Sequence, residues 1–173
     1  IFYPILKALE ESGRLRRGYF VAGLGAAQFA WPGADERLRS DRRLDDEEAE
    51  LVVLSAVDPA NPFGAALAWP ELNDSESRPQ RVAGAKVVIW RGQLLGYLNR
   101  TRESLIVFTS VLPDSSAANE VLATALTDEA ARGLGLELHL INGQPAASAG
   151  VSAFLLKSGF QVTSRGLLYR GVR

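Results

Sequence analysis

The chain has 173 residues, of which 47% are hydrophobic and 23% charged, enough to bury a core in one large domain or in a domain with a smaller module. It contains no cysteine and one histidine, His139, which excludes disulfides and thiolate catalysis and argues against a structural zinc site. No run approaches the roughly 18 apolar residues of a membrane span, so we expect a cytoplasmic protein. The lack of methionine, together with the start at Ile1, predicts that the chain is a piece of a longer protein.

The net charge of −1 hides an uneven distribution along the chain. Residues 1–43 carry eight basic and five acidic side chains, residues 44–80 carry one and nine, and residues 81–173 carry ten and six. This division excludes a uniformly basic nucleic-acid binder, but it allows a local basic surface near the N-terminus. The same three segments are the predicted domains of the chain.

The first segment predicts a helix, a hairpin and a second helix. Two extended runs, residues 15–22 and 26–31, flank Gly23-Leu24-Gly25 and indicate two strands joined by a short glycine turn. Residues 34–43 are highly charged and predict a short helix. The first helix is indicated by four apolar residues at helical spacing: Phe2, Ile5, Leu6 and Leu9.

The second segment predicts an acidic connector, a strand and a polar loop. The run "DDEEAE", residues 45–50, precedes an apolar stretch rich in β-forming residues at 51–57. Asp58, followed by proline, predicts a turn. Residues 71–80 have the polar composition of a loop.

The third segment predicts a three-strand meander and then alternating helices and strands. The meander occupies residues 85–90, 93–99 and 104–108. The overall class is α+β, a partial winged helix followed by a mixed, β-rich α/β module, rather than a doubly wound sheet. The remaining elements are helix 115–132, strand 136–141, helix 148–158 and strands 160–163 and 166–170.

The nearest match to a nucleotide-binding fingerprint is Gly23-x-Gly25-x-x-Gln28. A dinucleotide site needs a third small residue and glycines between a strand and a helix, whereas this pattern ends in glutamine and lies between two strands. The Lys-Ser/Thr of a phosphate-binding loop is also absent from the sequence. We therefore interpret the glycines as part of a hairpin turn.

Three further features receive structural interpretations, and no catalytic or metal-binding residue is predicted. His139 lies in an alternating strand, and the sequence around Ser152 lacks the second glycine of a nucleophile elbow. The acidic run at 45–50 lacks the ligand spacing of a calcium loop. Asp58 precedes proline, a pair that is common in turns.

The basic residues of the first segment suggest a different chemistry. A helix followed by a two-stranded hairpin is the second half of a winged helix, in which the helix enters a groove and the hairpin, or wing, lies along phosphates. An exposed edge hairpin is also commonly charged to prevent aggregation, and this alternative interpretation stays open. The candidate DNA contacts are Lys7, Arg14, Arg16, Arg17 and Tyr19.

Strand alternation ranks these candidates. Successive strand residues point to opposite faces, so Arg16 and Arg17 do not meet one row of phosphates in a regular strand. If Phe20 and Phe29 mark the buried face, Arg16 shares that face and Arg17 shares the other with Tyr19. The alternation therefore favours Arg17 and Tyr19 as contacts.

Three stretches also resemble a known family. Residues 3–39, beginning "YPILKALEESGRLRRGYFVAGLGAAQFAWP", residues 52–70, "VVLSAVDPANPFGAALAWP", and residues 159–171, "GFQVTSRGLLYRG", resemble the C-terminal end of bacterial Lhr-type large helicase-related proteins. The resemblance extends over nearly the whole chain, and its first two stretches are long and distinctive.

The resemblance implies that the chain is one region of a large multi-domain helicase. Lhr-type proteins are ATP-dependent DNA translocases and 3′-to-5′ helicases of superfamily 2 linked to DNA repair, with an N-terminal ATPase core that uses ATP and Mg²⁺. Their C-terminal extension consists of winged-helix modules and a β-barrel-like module. The ATPase motifs are absent from this sequence, so no cofactor is expected in it. The family's C-terminal region also resembles winged-helix DNA glycosylases, but no motif carries a glycosylase residue onto this chain.

Three functions follow as hypotheses. The first is a non-catalytic module that binds DNA, single-stranded or duplex, through phosphate contacts and packs against neighbouring modules of a cytoplasmic, nucleoid-associated helicase. The second is a contribution to the excision of uracil from DNA. The third is a protein-interaction module, which the acidic middle of the chain favours.

Overall fold

A computed structural model describes residues 2–41, 51–72, 78–133 and 135–171. The chain divides into two compact units, residues 1–49 and 50–173. Both contain helices and strands, so the predicted α+β class is confirmed. No helix in the described ranges is long and apolar enough to cross a membrane.

The first unit consists of a helix, a hairpin and a second helix, as predicted. Leu15, which follows the first helix, is a buried core residue in this unit, whereas Phe2 and Ile5 are exposed. Gly13 adopts a φ of +73° and ends the first helix. The elements are α1 (Tyr3–Glu11), β1 (Arg16–Gly18), β2 (Gln28–Ala30) and α2 (Ala34–Asp41).

The described residues of the second unit form two sheets and two α-helices. Its elements are β3 (Leu51–Ser55), β4 (Lys86–Trp90), β5 (Gln93–Leu98), β6 (Ser104–Val107), α3 (Ser115–Arg132), β7 (Leu136–Leu138), β8 (Leu140–Ile141), β9 (Gln144–Pro145), α4 (Ser152–Lys157), β10 (Gln161–Val162) and β11 (Leu167–Tyr169). A six-stranded sheet has the order β3-β4-β5-β6-β8-β9, and a three-stranded sheet has the order β10-β11-β7. Neighbouring strands are antiparallel except β6 and β8.

Both faces of the six-stranded sheet are covered, which explains the nearly continuous apolar runs in its central strands. Alternate residues of β6 belong to different cores, Leu105 to the core that contains α3 and Ile106 to the core that contains Phe63. A bulge in β5 skips Leu95, because Val88 pairs with Gly96 and Ile89 with Leu94.

Helix α3 is also joined to the sheet by a buried charge. Glu129 is only 5% exposed. Its carboxylate lies 2.6 Å from Nζ of Lys86 in β4 and 3.7 Å from Nη2 of Arg102. The single carboxylate therefore forms ion pairs with two cations at the point where the helix crosses the sheet.

The predicted strand 136–141 is divided between the two sheets. Leu138 ends β7 and Leu140 begins β8, so the chain changes sheet at His139. The carbonyl of Glu103 accepts hydrogen bonds from the backbone N–H groups of His139 and Leu140, at 2.8 and 3.2 Å. This pairing with the turn before β6 directs the chain away from the three-stranded sheet.

The helix predicted at 148–158 is shorter in the structure. A 3-10 turn covers Ala146–Ser148, and α4 begins only at Ser152.

The structure places the division of the chain between residues 49 and 50, whereas the sequence analysis separated 44–80 from 81–173. The reason is that β3 pairs with β4 along its whole length, from Leu51 opposite Trp90 to Ser55 opposite Lys86.

Candidate nucleic-acid interface

The register of the hairpin decides which way its arginines face. Arg16 lies opposite Ala30, and Arg17 lies opposite Phe29. Residues directly opposite each other on neighbouring strands project from the same face. Arg17 therefore shares the face of Phe29, and the prediction that Arg16 lies on that face is wrong. Strand β1 ends at Gly18, so alternation does not extend to Tyr19 or Phe20.

Ion pairs hold two of the four predicted basic residues against neighbouring helices. Nε of Arg17 lies 3.3 Å from Oε1 of Glu10 in α1. Nη1 of Arg16 lies 3.3 Å from Oδ1 of Asp35 and 3.8 Å from Oε1 of Glu36, both in α2. The two arginines thus face different helices, α1 and α2.

The other two candidate cations lie at the C-terminal half of α1 and just beyond it. Nζ of Lys7 lies 3.8 Å from Oε1 of Glu11, one helical turn further along α1. Arg14 is exposed, and its guanidinium makes no ion pair within the described residues. Arg14 is therefore the predicted arginine with the least competition for a phosphate.

Asp35 is the acid most affected by this arrangement. A hydrogen bond with the Glu36 side chain lowers the pKa of Asp35, and the nearby charges of Arg16 and Arg39 lower it further. The lowered pKa means that the fold favours the ionised form of Asp35 beside Arg16. This carboxylate reduces the positive potential that Arg16 presents to a phosphate.

The wing loop is organised by a residue that the sequence analysis used only to reject a nucleotide site. Oε1 of Gln28 accepts hydrogen bonds from the backbone N–H groups of Phe20 and Val21, both at 2.8 Å. Its Nε2 donates to the carbonyls of Val21 and Leu24, both at 2.9 Å. The loop between β1 and β2 is longer than the predicted glycine turn, because β1 ends at Gly18 and β2 begins only at Gln28. One side chain satisfies four backbone groups of this longer loop.

This loop presents Tyr19 to solvent. The Tyr19 side chain is 86% exposed, the highest value among the exposed large hydrophobic residues of the described chain. The glycine pattern lies in the same loop, with Gly23 at a φ of +79°. Its position between two antiparallel strands confirms the hairpin interpretation.

Asp58 and His139, which the sequence analysis considered for catalysis, lie at a turn and at the change of sheet. Oδ1 of Asp58 accepts a hydrogen bond from the backbone N–H of Ala60 at 2.8 Å, which confirms the predicted turn. The carbonyl of Asp58 accepts a hydrogen bond from Nη2 of Arg81 at 3.1 Å. His139 marks the change of sheet, with Nε2 at 3.6 Å from Oε2 of Glu137. The acidic run up to residue 50 lies outside the described residues.

Comparison with known proteins identifies the origin of these two units. Residues 1–50 match the family described as "Large helicase-related protein, winged-helix domain". The chain is 42% identical, over 97% of its length, to the "Lhr helicase/ probable uracil glycosylase" of Mycolicibacterium smegmatis. It is 36% identical, over 94% of its length, to the "Lhr helicase/uracil glycosylase" of Escherichia coli. The chain belongs to the Lhr-type large helicase-related family.

The match confirms two predictions from the sequence. The chain corresponds to the C-terminal region of Lhr-type helicases, and its first unit is a winged-helix domain. The chain spans only 12% and 11% of the length of the two Lhr relatives. The matches thus cover a small region of each relative.

Proposed function

We propose that this chain is an accessory DNA-binding and assembly module of an Lhr-type helicase that acts in DNA repair. The observation that carries the proposal is a winged-helix hairpin with an exposed tyrosine in its loop and, before its first strand, an arginine that forms no ion pair with a described residue. Winged helices and their relatives bind DNA by placing a helix in a groove and other elements along the phosphates. ATP and Mg²⁺ act in parts of the parent protein outside this chain.

The two exposed side chains have different roles in this proposal. Arg14 contacts a phosphate oxygen, since its guanidinium forms no competing ion pair with a described residue. Tyr19 stacks on an unpaired base or lies against a sugar, because its exposed ring is held on a loop fixed by Gln28. Neither contact reads a base sequence, so the module binds DNA with little sequence preference.

The charge balance limits the affinity of this unit. Residues 2–41 contain six basic and five acidic side chains, and ion pairs involve three of the bases. The electrostatic attraction is therefore modest and strongly dependent on salt. Within the parent protein, the module orients DNA that other parts of the chain bind more tightly.

The test is the binding of labelled single-stranded, duplex and forked DNA to the 173-residue chain over a range of salt concentrations. We expect measurable binding at low salt that weakens as salt rises, and a large loss when Arg14, Arg16 and Arg17 are all replaced by alanine. A triple variant that binds as tightly as the native chain, or a native chain that does not bind at low salt, contradicts the proposal.

A second candidate function, the excision of uracil from DNA, rests on the names of the two relatives. The second unit offers a cavity of about 550 Å³ whose lining includes Thr109, Asn119 and Asn142. None of the described residues that line this cavity carries a carboxylate to activate water. We therefore expect that base excision, if this region takes part in it, needs residues supplied by the rest of the parent protein.

Uracil-containing DNA separates the two functions. We expect no base release by the 173-residue chain and release only by a protein that includes the preceding modules. An Asp58→Asn variant of the longer protein should retain its activity, because Asp58 forms a turn. Base release by the 173-residue chain that is lost in Asp58→Asn overturns both expectations.

A further inference from the structure

The second unit carries another cavity, of about 520 Å³, beside the turn between β5 and β6. One wall comes from the segment before β4 and the other from the turn that follows β5. Its rim is polar, with two arginines, and its floor is apolar. The lining residues that matter for the argument are Arg78, Gln80, Val82, Tyr97, Asn99 and Arg100.

The described part of the rim carries two positive charges. Arg78 and Arg100 are both exposed, and neither forms an ion pair with a described residue. Among the described residues that line the cavity, none is an aspartate or a glutamate. A recess with two guanidinium groups and no carboxylate favours an anion, and guanidinium groups bind phosphate oxygens in a bidentate manner.

The turn that carries Arg100 is held in place by Asn99. Oδ1 of Asn99 accepts three hydrogen bonds: from the hydroxyl of Thr101 at 3.2 Å and from the backbone N–H groups of Glu103 and Ser104, both at 3.1 Å. With the oxygen occupied, the amide nitrogen of Asn99 is the group left to act as a donor. The turn thus adds a neutral donor beside the two cations.

The stem of Arg100 also has a defined position. It packs on Gly84, where an added Cβ would lie 3.1 Å from Cγ of Arg100. Gly84 has a φ of +88°, a conformation that side-chain-bearing residues rarely adopt. The glycine therefore gives the arginine stem room to lie against the backbone below the rim.

The floor is the end of an aromatic stack. The ring of Tyr97 lies edge-on to Trp69, with centroids 5.8 Å apart and an interplanar angle of 73°. Trp69 in turn stacks on Phe63, with centroids 6.4 Å apart. An apolar floor under a cationic rim suits a ligand that is part apolar ring and part phosphate.

We propose that this cavity binds a phosphodiester group of a DNA strand, with Arg78 and Arg100 on the phosphate and the sugar against the apolar floor of the cavity, where the largely buried Tyr97 reaches the surface. The identity of the ligand rests on the proposed function, because a free phosphate ester has the same chemistry. The site lies wholly within the second unit, so it is a DNA contact additional to the winged helix.

The test compares two double variants of the 173-residue chain. In Arg78→Ala/Arg100→Ala, we expect the affinity for a labelled single-stranded oligonucleotide to fall about tenfold at low salt. The slope of log K against log salt should fall by roughly 0.7 for each phosphate contact that is lost. The control, Arg132→Ala/Arg170→Ala, removes the same charge from exposed positions outside the cavity and should change binding little. Equal losses in the two double variants, or no loss in the first, overturn the proposal.

A direct measurement separates this proposal from the function proposed for the winged helix. We expect the oligonucleotide to shift the backbone NMR signals of residues 99–104, also when Arg14, Arg16 and Arg17 are replaced by alanine. Inorganic pyrophosphate at the same phosphate concentration should shift them less. If pyrophosphate shifts these signals and the oligonucleotide does not, the ligand is a free phosphate ester and the DNA assignment is wrong. If the cavity variant loses oligonucleotide binding and the winged-helix variant does not, the cavity is supported and the role of the winged helix is contradicted.

Discussion

Arg17 and Phe29 lie directly opposite each other in the hairpin, and both contact α1. The ring of Phe29 lies edge-on to Tyr3, with centroids 6.1 Å apart, while Nε of Arg17 lies 3.3 Å from Oε1 of Glu10. One aromatic contact and one ion pair thus join the wing to the helix. Arg17 therefore contributes mainly to the packing of the hairpin on α1, and its charge is less available to a ligand.

Arg14 and Arg17 should therefore respond differently to substitution. We expect Arg14→Ala to weaken DNA binding at low salt and to reduce the salt slope by roughly 0.7 to 0.9, the effect of one lost phosphate contact. Arg17→Ala should reduce the slope by less than half as much, because Glu10 already neutralises this charge. Fluorescence anisotropy at several salt concentrations measures both. Equal slopes for the two variants would contradict the assignment.

Arg17→Ala should instead affect stability, though only slightly. Both partners of the Arg17–Glu10 pair are partly exposed. Surface ion pairs of this kind contribute about 1 kcal/mol or less. Urea denaturation should therefore show a small loss for Arg17→Ala and none for Arg14→Ala.

Gln28 should control the order of the wing loop. Gln28→Ala removes four hydrogen bonds to Phe20, Val21 and Leu24, and each bond contributes on the order of 1 kcal/mol. We expect the amides of Phe20 and Val21 to exchange with solvent roughly tenfold faster or more. Amide hydrogen exchange followed by NMR measures this effect.

Two variants control the Gln28 experiment. Gln28→Glu keeps an acceptor for the two amides but loses the donor, so it should preserve more of their protection than Gln28→Ala. Gln144→Ala replaces an exposed glutamine of the second unit and should leave exchange at Phe20 and Val21 unchanged. Unchanged protection in Gln28→Ala would show that the loop is ordered by other contacts.

Gly64 and Gly92 form a matched pair for a steric prediction. Both have a φ of +73°, so alanine is strained at either position by about 1 to 2 kcal/mol. A Cβ at Gly64 would lie 2.5 Å from the ring of Trp69, whereas a Cβ at Gly92 would meet nothing within 4 Å. We expect Gly64→Ala to lower the free energy of unfolding by about 2 kcal/mol more than Gly92→Ala. Equal losses in urea denaturation would contradict this result.

Glu129 should be the most sensitive acid of α3. Glu129→Gln removes the buried negative charge that lies against Lys86 and Arg102, and we expect a loss of about 2 kcal/mol in the free energy of unfolding. This value lies below that for a fully buried pair because both cations are partly exposed. Glu120→Gln on the exposed side of the same helix is the control and should change stability by less than about 0.5 kcal/mol. Similar losses in the two variants would show that the buried pairs contribute little.

Elements that depend on local pattern agree closely with the sequence analysis. Helix α3 has the predicted bounds, because its apolar stripe and its N-cap, Asp114, lie within the segment itself. The meander of β4, β5 and β6 also lies at the predicted positions, since short turns join adjacent strands. The turn at Asp58 follows from the local chemistry of an aspartate side chain.

The orientation of the basic residues in the candidate site depends on contacts between elements, which the residue pattern within one segment does not reveal. Alternation predicted that Arg16 shares the face of Phe29, but the hairpin register places Arg17 opposite Phe29, and β1 ends before Tyr19. Beyond the end of β1, the Gln28 side chain bonds the backbone N–H groups of Phe20 and Val21 in the wing loop. The amphipathic segment around His139 likewise reads as one strand, yet the carbonyl of Glu103 divides it.

The sequence by itself determined the family, the α+β class and the winged-helix start, because these depend on residue spacing within short segments. The tertiary structure alone decided which charges are available to a ligand. Arg16 and Arg17 are neutralised by acids from other elements. Arg78 and Arg100 instead come together at one cavity only because the chain returns along the sheet. Charge is a property of the sequence, but the potential that a phosphate meets depends on the distances between charges in the folded chain.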